Sequence, residues 1–258
     1  CEMNVRRSDG VIVLRWVVLY YKNRERIRKR KGYSNMQKER LQQSWMFWKE
    51  GEEGSKKNAV IPHDAMILET RSADCPNGAA TGFLPGGKYV YETALFGKAE
   101  WASQRVLLEF EGVYMNSAVF LNGKQVGGRL YGYSNFFVEL TGALQIGQDN
   151  VLRVVADNSH CPNSRWYSGS GIYRPVNLWT GPQDGIDPES VKITTESVEP
   201  AVVRIQAPKA VTVTIEGVTG TGEDFVLAIP SAKPWSAETP YLYTQRQNCE
   251  TAGRLCPP

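Results

Sequence analysis

The sequence predicts an all-β protein, a jelly-roll β-sandwich followed by a smaller immunoglobulin-like β-sandwich. Three observations carry that prediction. Between residues 89 and 179 short apolar runs alternate with turn residues, and no stretch holds a 3.6-residue period long enough for a core helix. Asn122 and Gly123 stand between two such runs, and both residue types accept the positive φ of a two-residue hairpin. Residues 180–188 hold two Pro and two Gly in nine positions, which reads as an interdomain linker, and strand-like runs resume after it.

In the first part the runs lie at 89–96, 105–110, 118–121, 136–140, 150–157 and 176–179, with 45–48 a further candidate and 124–126 completing the hairpin. In 150–157, Val151, Arg153 and Val155 alternate with Leu152, Val154 and Ala156, so both faces of that strand are expected to be largely covered. Six or more strands over about 150 residues match a jelly roll, whose two sheets pack through inward side chains. Beyond the linker the runs are 191–195, 202–205, 210–216 and 225–229. Val211, Val213 and Ile215 point one way and Thr212, Thr214 and Glu216 the other, as on a half-buried antiparallel sheet. Four or five strands in about 60 residues fit an immunoglobulin-like sandwich that is small for its class, which usually needs ~100 residues. The expected boundaries are a basic leader at 1–35, disordered or non-native, the jelly roll at 36–182, the immunoglobulin-like domain at 188–244, and an irregular tail at 245–258.

Composition removes several classes of function. With 258 residues, 41% hydrophobic and 22% charged, the chain is composed like an ordinary globular protein, neither disordered nor collagen-like nor membrane-spanning. The net charge of +3 averages two unlike parts, because residues 1–35 carry ten Lys and Arg against three Asp and Glu while the rest carries 20 against 24. A mildly acidic body cannot displace counterions from phosphate, so nucleic acid is not an expected partner. The apolar stretch at 11–21, interrupted by Arg15, falls short of the roughly 20 residues a membrane-crossing helix needs. No signal-type cleavage site follows it, and the stretch from Met36 reads like the start of a globular domain. Five cysteines, at 1, 75, 161, 249 and 256, are odd in number and form no C-x-x-C. Neither a disulfide framework nor a metal site is expected, no cofactor is implied, and free thiols fit a reducing, cytoplasmic compartment.

The chain has two histidines, and neither G-x-S-x-G nor H-E-x-x-H surrounds them. His63 is expected to be a loop imidazole tied to nearby backbone. The glycines at 169 and 171 lack the Lys-Ser/Thr and the following helix of a phosphate loop. The candidate binding element is 158–176, a polar and aromatic loop between two strands, since loops of that length rarely serve only to connect. Arg165 and Asn163 can hydrogen-bond sugar hydroxyls, and Trp166 or Tyr167 can cover the C–H face of a sugar ring. The competing reading has Trp166 and Tyr167 plug one end of the sandwich while Arg174 pairs with a buried carboxylate.

Six segments, IPHD at 61–64, FLPGGKY at 83–89, FEGVYMNSA at 110–118, LNG at 121–123, YGYSNF at 131–136 and SGSGIYR at 168–174, carry a resemblance in order and spacing. They resemble the N-terminal sugar-binding, galactose-binding-domain-like jelly roll of glycoside hydrolase family 2, in its β-galactosidase branch. KPWSAETPYLY at 233–243 is similar to the closing strand of that family's immunoglobulin-like second domain, so the resemblance runs from Leu41 to Thr244. It implies a jelly roll, an immunoglobulin-like domain and then a (β/α)8 barrel holding two catalytic glutamates. No β-α alternation here presents two carboxyl groups about 5 Å apart on strand ends. No residue of this chain is therefore expected to be catalytic, and Glu109, Glu111, Glu52 and Glu53 are read as solvated sheet and loop charges.

By the resemblance, Asn116 matches an asparagine that contacts substrate, and the loop of Asn163, Arg165 and Trp166 matches one that borders the pocket. Asn163, Ser164 and Arg165 stand where the family often has an Asp, so no metal-linked role carries over. Tyr173 and Arg174 are assigned to packing. The expected function is the non-catalytic N-terminal portion of a β-galactosidase-like glycoside hydrolase, its loops lent to a barrel pocket. The expected ligand is a β-galactoside or related carbohydrate, and the expected protein partner a barrel-bearing chain or a second copy, with no membrane involved. The alternatives are a stand-alone carbohydrate-binding module and a structural interaction module.

Overall fold

The computed structural model describes residues 36–243, apart from 162 and 188, together with the backbone of 245–249. The expected leader at 1–35 and positions 250–258 of the expected tail lie outside the described residues. The regular elements described are strands and short 3-10 turns, so the chain is all-β as its sequence predicts. They fall into two compact units, one spanning 37–183 and the other beginning at 184.

The first unit is built from β1 (Gln37–Arg40), β2 (Ser44–Lys49), β3 (Lys57–Val60), β4 (Lys88–Phe96), β5 (Gln104–Phe110), β6 (Ser117–Leu121), β7 (Lys124–Arg129), β8 (Phe136–Glu139), β9 (Asp149–Asp157) and β10 (Val176–Pro182). Pairing is antiparallel, with a six-stranded sheet ordered β3-β2-β4-β9-β6-β7 and a four-stranded sheet ordered β1-β10-β5-β8. The core lies between them. Trp45, Tyr91, Val119, Leu152 and Val154 come from one sheet, and Val106, Leu108, Phe110, Val138, Val176 and Leu178 from the other. Every second residue faces inward, as the period of a strand requires, and each such side chain contributes about 1.5–3 kcal/mol by leaving water. The β6–β7 hairpin turns on Asn122 and Gly123, with φ of 50° and 82°, and Leu121 pairs with Lys124 as the Asn-Gly signal predicts.

In this unit three expectations need correction. In β9 only Asn150, Leu152, Val154 and Ala156 are buried, whereas Val151 is 45% exposed, so one face of that strand is open rather than both being covered. Residues 180–182, expected in the linker, extend β10 and pair with 104–106, because Gly181 and Pro182 at a strand end disturb no inward side chain. Glu109, expected to be solvated, is 2% exposed.

The burial of Glu109 has a specific cause. It sits on the outer face of β5, and the edge strand β1 brings Lys38 to it across β10. Lys38 Nζ lies 2.8 Å from the Glu109 carboxylate and 3.2 Å from that of Glu111. Asn177 Nδ2 and Trp179 Nε1 also donate to Glu109, at 3.1 and 2.9 Å, and the Lys38 ammonium stands over the Trp179 ring. A carboxylate can leave water only when its charge is met in this way.

In the second unit, β11 (Lys192–Val198), β12 (Ala201–Ile215) and β13 (Val218–Ala228) form a sheet in that order, and β14 (Gln245–Cys249) pairs with the last third of β12. The runs expected as two strands at 202–205 and 210–216 belong to one strand, whose pairing with β13 shifts register between Gln206 and Val211. Pro208 falls in that gap and has no N–H to donate to a ladder. Val211, Val213 and Ile215 are buried with Val191, Val203, Ile205 and Leu227, while Thr212 and Thr214 pair outward with Thr221 and Thr219. Residues 245–249, expected to be irregular, are a strand, because main-chain pairing to β12 does not require an apolar alternation.

Replacing Lys38 by Ala is expected to lower the unfolding free energy by about 3 kcal/mol, since it leaves a buried carboxylate without its cation. Urea unfolding followed by tryptophan emission checks this. The double replacement Lys38→Met with Glu109→Gln should recover most of the loss, and an unchanged midpoint in Lys38→Ala would show that the pair contributes nothing.

Candidate functional site

Four segments meet at one end of the jelly roll, 61–69, 111–117, 130–135 and 158–175. Tyr114 and Gly171 form an isolated antiparallel bridge, each N–H donating to the other's carbonyl at 2.9 and 2.8 Å. The His63 and Ala65 N–H groups donate to the carbonyls of Ile172 and Ser170, both at 2.8 Å. Loop 158–175 is thereby laced to its neighbours by main chain first.

Side chains then lock its base. Asp64 Oδ1 accepts from the backbone N–H of Met66 at 3.1 Å and of Ser170 at 2.9 Å, and Oδ2 accepts from the Tyr167 hydroxyl at 2.5 Å. Partial burial and that carboxylate together push the Tyr167 hydroxyl well above the ordinary phenol range. Asn158, 2% exposed, donates to Ser170 Oγ at 2.6 Å and to the Gly169 carbonyl at 3.2 Å. Asn163 donates to Asn158 Oδ1 at 2.6 Å, accepts from the Tyr114 hydroxyl at 3.0 Å, and sends its backbone N–H to Asn77 Oδ1. Gly171 makes this closeness achievable. Its φ is 107°, and a Cβ there would fall 2.1 Å from the Tyr91 hydroxyl oxygen.

Above this base the loop is open. Trp166 is 60% exposed and its Nε1 donates to the Tyr133 hydroxyl at 3.1 Å. Arg165 is exposed beside it. Asn116 has a φ of 43°, in the region Asn tolerates best after Gly, and its Nδ2 donates to the Asp157 carbonyl at 3.1 Å. The Asp157 N–H returns a bond to the Met115 carbonyl. Asn116 and Asn163 therefore border the same network through Asp157 and Asn158, while Arg165 and Trp166 stand out from it.

The plug reading of the loop does not hold. Trp166 and Tyr167, at 60% and 40% exposure, do not close the sandwich, and Arg174 lies exposed over the Tyr173 ring rather than against a buried carboxylate. Tyr173 packs as expected, its hydroxyl donating to the Gly132 carbonyl at 2.8 Å. His63 is held by a side chain as well as by backbone, with Nδ1 2.8 Å from the Tyr91 hydroxyl and its ring 4.4 Å from that of Phe47. Burial lowers its pKa below the ordinary 6.5, against an opposing pull from Asp64. Sequence reasoning missed Asp64, Tyr114 and Tyr133 as parts of the site, and did not single out Asn158 within its candidate element. The available signal was Asp64 two residues ahead of a short turn, the place for a carboxylate that accepts from backbone N–H.

Among the described residues no helical turn exceeds five residues, so no (β/α)8 barrel is present there. No described group of three or more His, Cys, Asp and Glu is placed to hold a metal, and no described helix is long and apolar enough to cross a membrane.

No family profile matches the chain. It is 37% identical over 217 residues to the β-galactosidase BoGH2A of Bacteroides ovatus, a match that covers 71% of this chain and 25% of that protein. It is 31% identical over 153 residues to a β-glucuronidase of Bacteroides fragilis, covering 55% of this chain and 22% of that one. A crystal structure of a β-glycosidase from Bacteroides vulgatus aligns with a TM-score of 0.68 at 26% identity, over 81% of this chain and 31% of the other. The chain thus spans about a quarter of the length of these curated relatives. A two-sheet sandwich followed by a second antiparallel β-unit, matched to one stretch of much longer glycosidases, defines the class as an all-β portion of a multidomain glycosidase. Its relatives are β-galactosidases and β-glucuronidases of glycoside hydrolase family 2, and the chain matches one stretch of them.

The lowered pKa of His63 has a testable sign. The folded protein favours the neutral ring, so the stability it contributes is complete above the ordinary value of 6.5 and is lost as pH falls from there through the folded value. The unfolding free energy should decline between about pH 7 and pH 5, and His63→Gln should flatten that slope. Identical slopes for the two proteins would contradict the assignment.

Proposed function

We propose that this chain forms the non-catalytic wall of a β-galactosidase-like glycosidase pocket, with the sugar held against a (β/α)8 barrel. The observation that carries the reading is the contrast within one loop. Its base is fixed by Asp64, Asn158 and Asn163, and its tip presents an indole and a guanidinium to solvent. A loop immobilised before the ligand arrives loses little freedom on binding, which favours recognition of a hydroxyl-rich ring.

In this reading Arg165 donates to sugar hydroxyls and Trp166 covers a C–H face. Asn116 uses one amide hydrogen on Asp157, which leaves its side-chain oxygen and second hydrogen for a hydroxyl. Asn163 is largely engaged with Asn158 and Tyr114, so it acts chiefly by holding the loop in place. The ligand class is a β-galactoside or a related glycoside, and the protein partner carries the barrel. Free thiols at Cys75 and Cys161 support a reducing, cytoplasmic setting.

The test is complementation. BoGH2A lacking the region that matches this chain should hydrolyse a chromogenic galactoside at least tenfold faster when the 258-residue chain is added. Chains carrying Trp166→Ala or Asn116→Ala should restore less than a third of that gain. No gain with the unaltered chain, or turnover at enzymic speed by the chain alone, overturns the reading. Calorimetric binding of galactose by the chain alone would favour a stand-alone binding module instead.

A further inference from the structure

The same end of the jelly roll carries a feature that the pocket reading takes up only through Trp166. Tyr131, Tyr133 and Trp166 are 61%, 38% and 60% exposed, and they stand together. The Tyr131 and Tyr133 rings meet edge to face at 5.8 Å, and Tyr133 meets the buried Tyr114 in the same way at 5.2 Å. Trp166 Nε1 donates to the Tyr133 hydroxyl. The single donor of the indole is therefore used inside the cluster, and what the ring turns outward is its apolar face. The Tyr133 hydroxyl accepts from Trp166 and also bonds the Tyr114 hydroxyl, which ties the exposed rings to the buried one.

Large aromatic side chains left in water and clustered through ring contacts and a hydrogen bond point to a ligand, since exposed apolar surface gathered in one patch marks a binding site. The surroundings narrow its chemistry. Segments 130–135 and 158–175 contain no Asp or Glu, and their charged residues are Arg165 and Arg174. An aromatic face bordered by phenol and guanidinium groups matches a pyranose ring, apolar on one face and edged with hydroxyls. A protein partner would need about 800 Å² on each side, and these three partly exposed rings offer roughly 400 Å² at most. The cluster is also continuous with the loop whose tip holds Arg165.

We propose that Tyr131, Tyr133 and Trp166 form a stacking shelf for a second pyranose ring, so that the saccharide recognised is an oligosaccharide extending beyond the ring that Asn116 and Arg165 reach. The placement of the first ring rests on the pocket reading. Stacking on the shelf itself requires no barrel.

Saturation-transfer NMR on the 258-residue chain tests the shelf. The probes are a neutral β-1,4-linked tetrasaccharide, a uronate-containing tetrasaccharide and galactose. Both tetrasaccharides, or the uronate form alone, should receive saturation at their ring C–H protons with a Kd of about 1–10 mM, and galactose should show none. Trp166→Ala and Tyr131→Ala should weaken the signal at least fivefold with an unchanged thermal midpoint, and Trp166→Phe should stay within twofold of the unaltered chain. Absence of any tetrasaccharide signal, or equal signals in the Ala variants, overturns the proposal. So does weaker assembly of Tyr131→Ala with the truncated galactosidase in the absence of a saccharide signal, because the shelf would then be a face covered by polypeptide. Failed complementation with an intact NMR signal removes the pocket reading and leaves the shelf, and restored hydrolysis with no signal does the reverse.

Discussion

One carboxylate fixes the geometry on which the functional end of the jelly roll depends. Asp64 binds two backbone N–H groups and one phenol, and two of its partners, Ser170 and Tyr167, lie more than a hundred residues away along the chain. Charge-assisted bonds of this kind are shorter and stronger than neutral ones, and here they converge on a loop that is anchored in the core by Ile172. The loop keeps one shape because its polar groups are satisfied. Asn158, buried with its amide bonded to Ser170 and Gly169, extends the same logic inward, and Asn163 carries it outward to Tyr114.

The rest of the sandwich serves this arrangement by being rigid. Tyr91 belongs to the core strand β4, yet its hydroxyl touches His63 on one side and leaves room only for a glycine at 171 on the other. A shift of β4 would therefore be felt directly in the loop, and close-packed interiors do not shift by small amounts. The hydroxyl is also poorly ionisable, since burial and the nearby Asp64 raise its pKa well beyond the ordinary phenol range. Tyr91 remains a neutral hydrogen-bonding partner at any physiological pH.

The fold was legible where alternation was strong and obscure where polar residues made strands. Strands β4, β5, β6, β9 and β10 carry apolar residues at every second position, and the Asn122-Gly123 turn fixed one pairing outright. Strands β1 and β3, QKER and KNAV, have no such signature because they lie at sheet edges, where main-chain pairing rather than burial holds them. That is also why Glu109 was misread. Its ion partner sits on an unrecognised strand 71 positions earlier, counted from 109 and 38, and a local pattern cannot reveal a distant cation. The aromatic and polar content of 158–176 was plain in the sequence, whereas the role of Asp64 became visible only once folding placed it beneath that loop.

The position of β1 bears on how this domain can be handled. It forms the outermost strand of the four-stranded sheet, and Lys38 on it meets the charge of Glu109 two strands away. A trimmed chain beginning at Leu41 would bare the edge of β10 as a template for pairing between molecules, and would strand an uncompensated anion behind it. For anyone producing the jelly roll in isolation, four polar residues that look dispensable cover an open sheet edge and neutralise a buried charge.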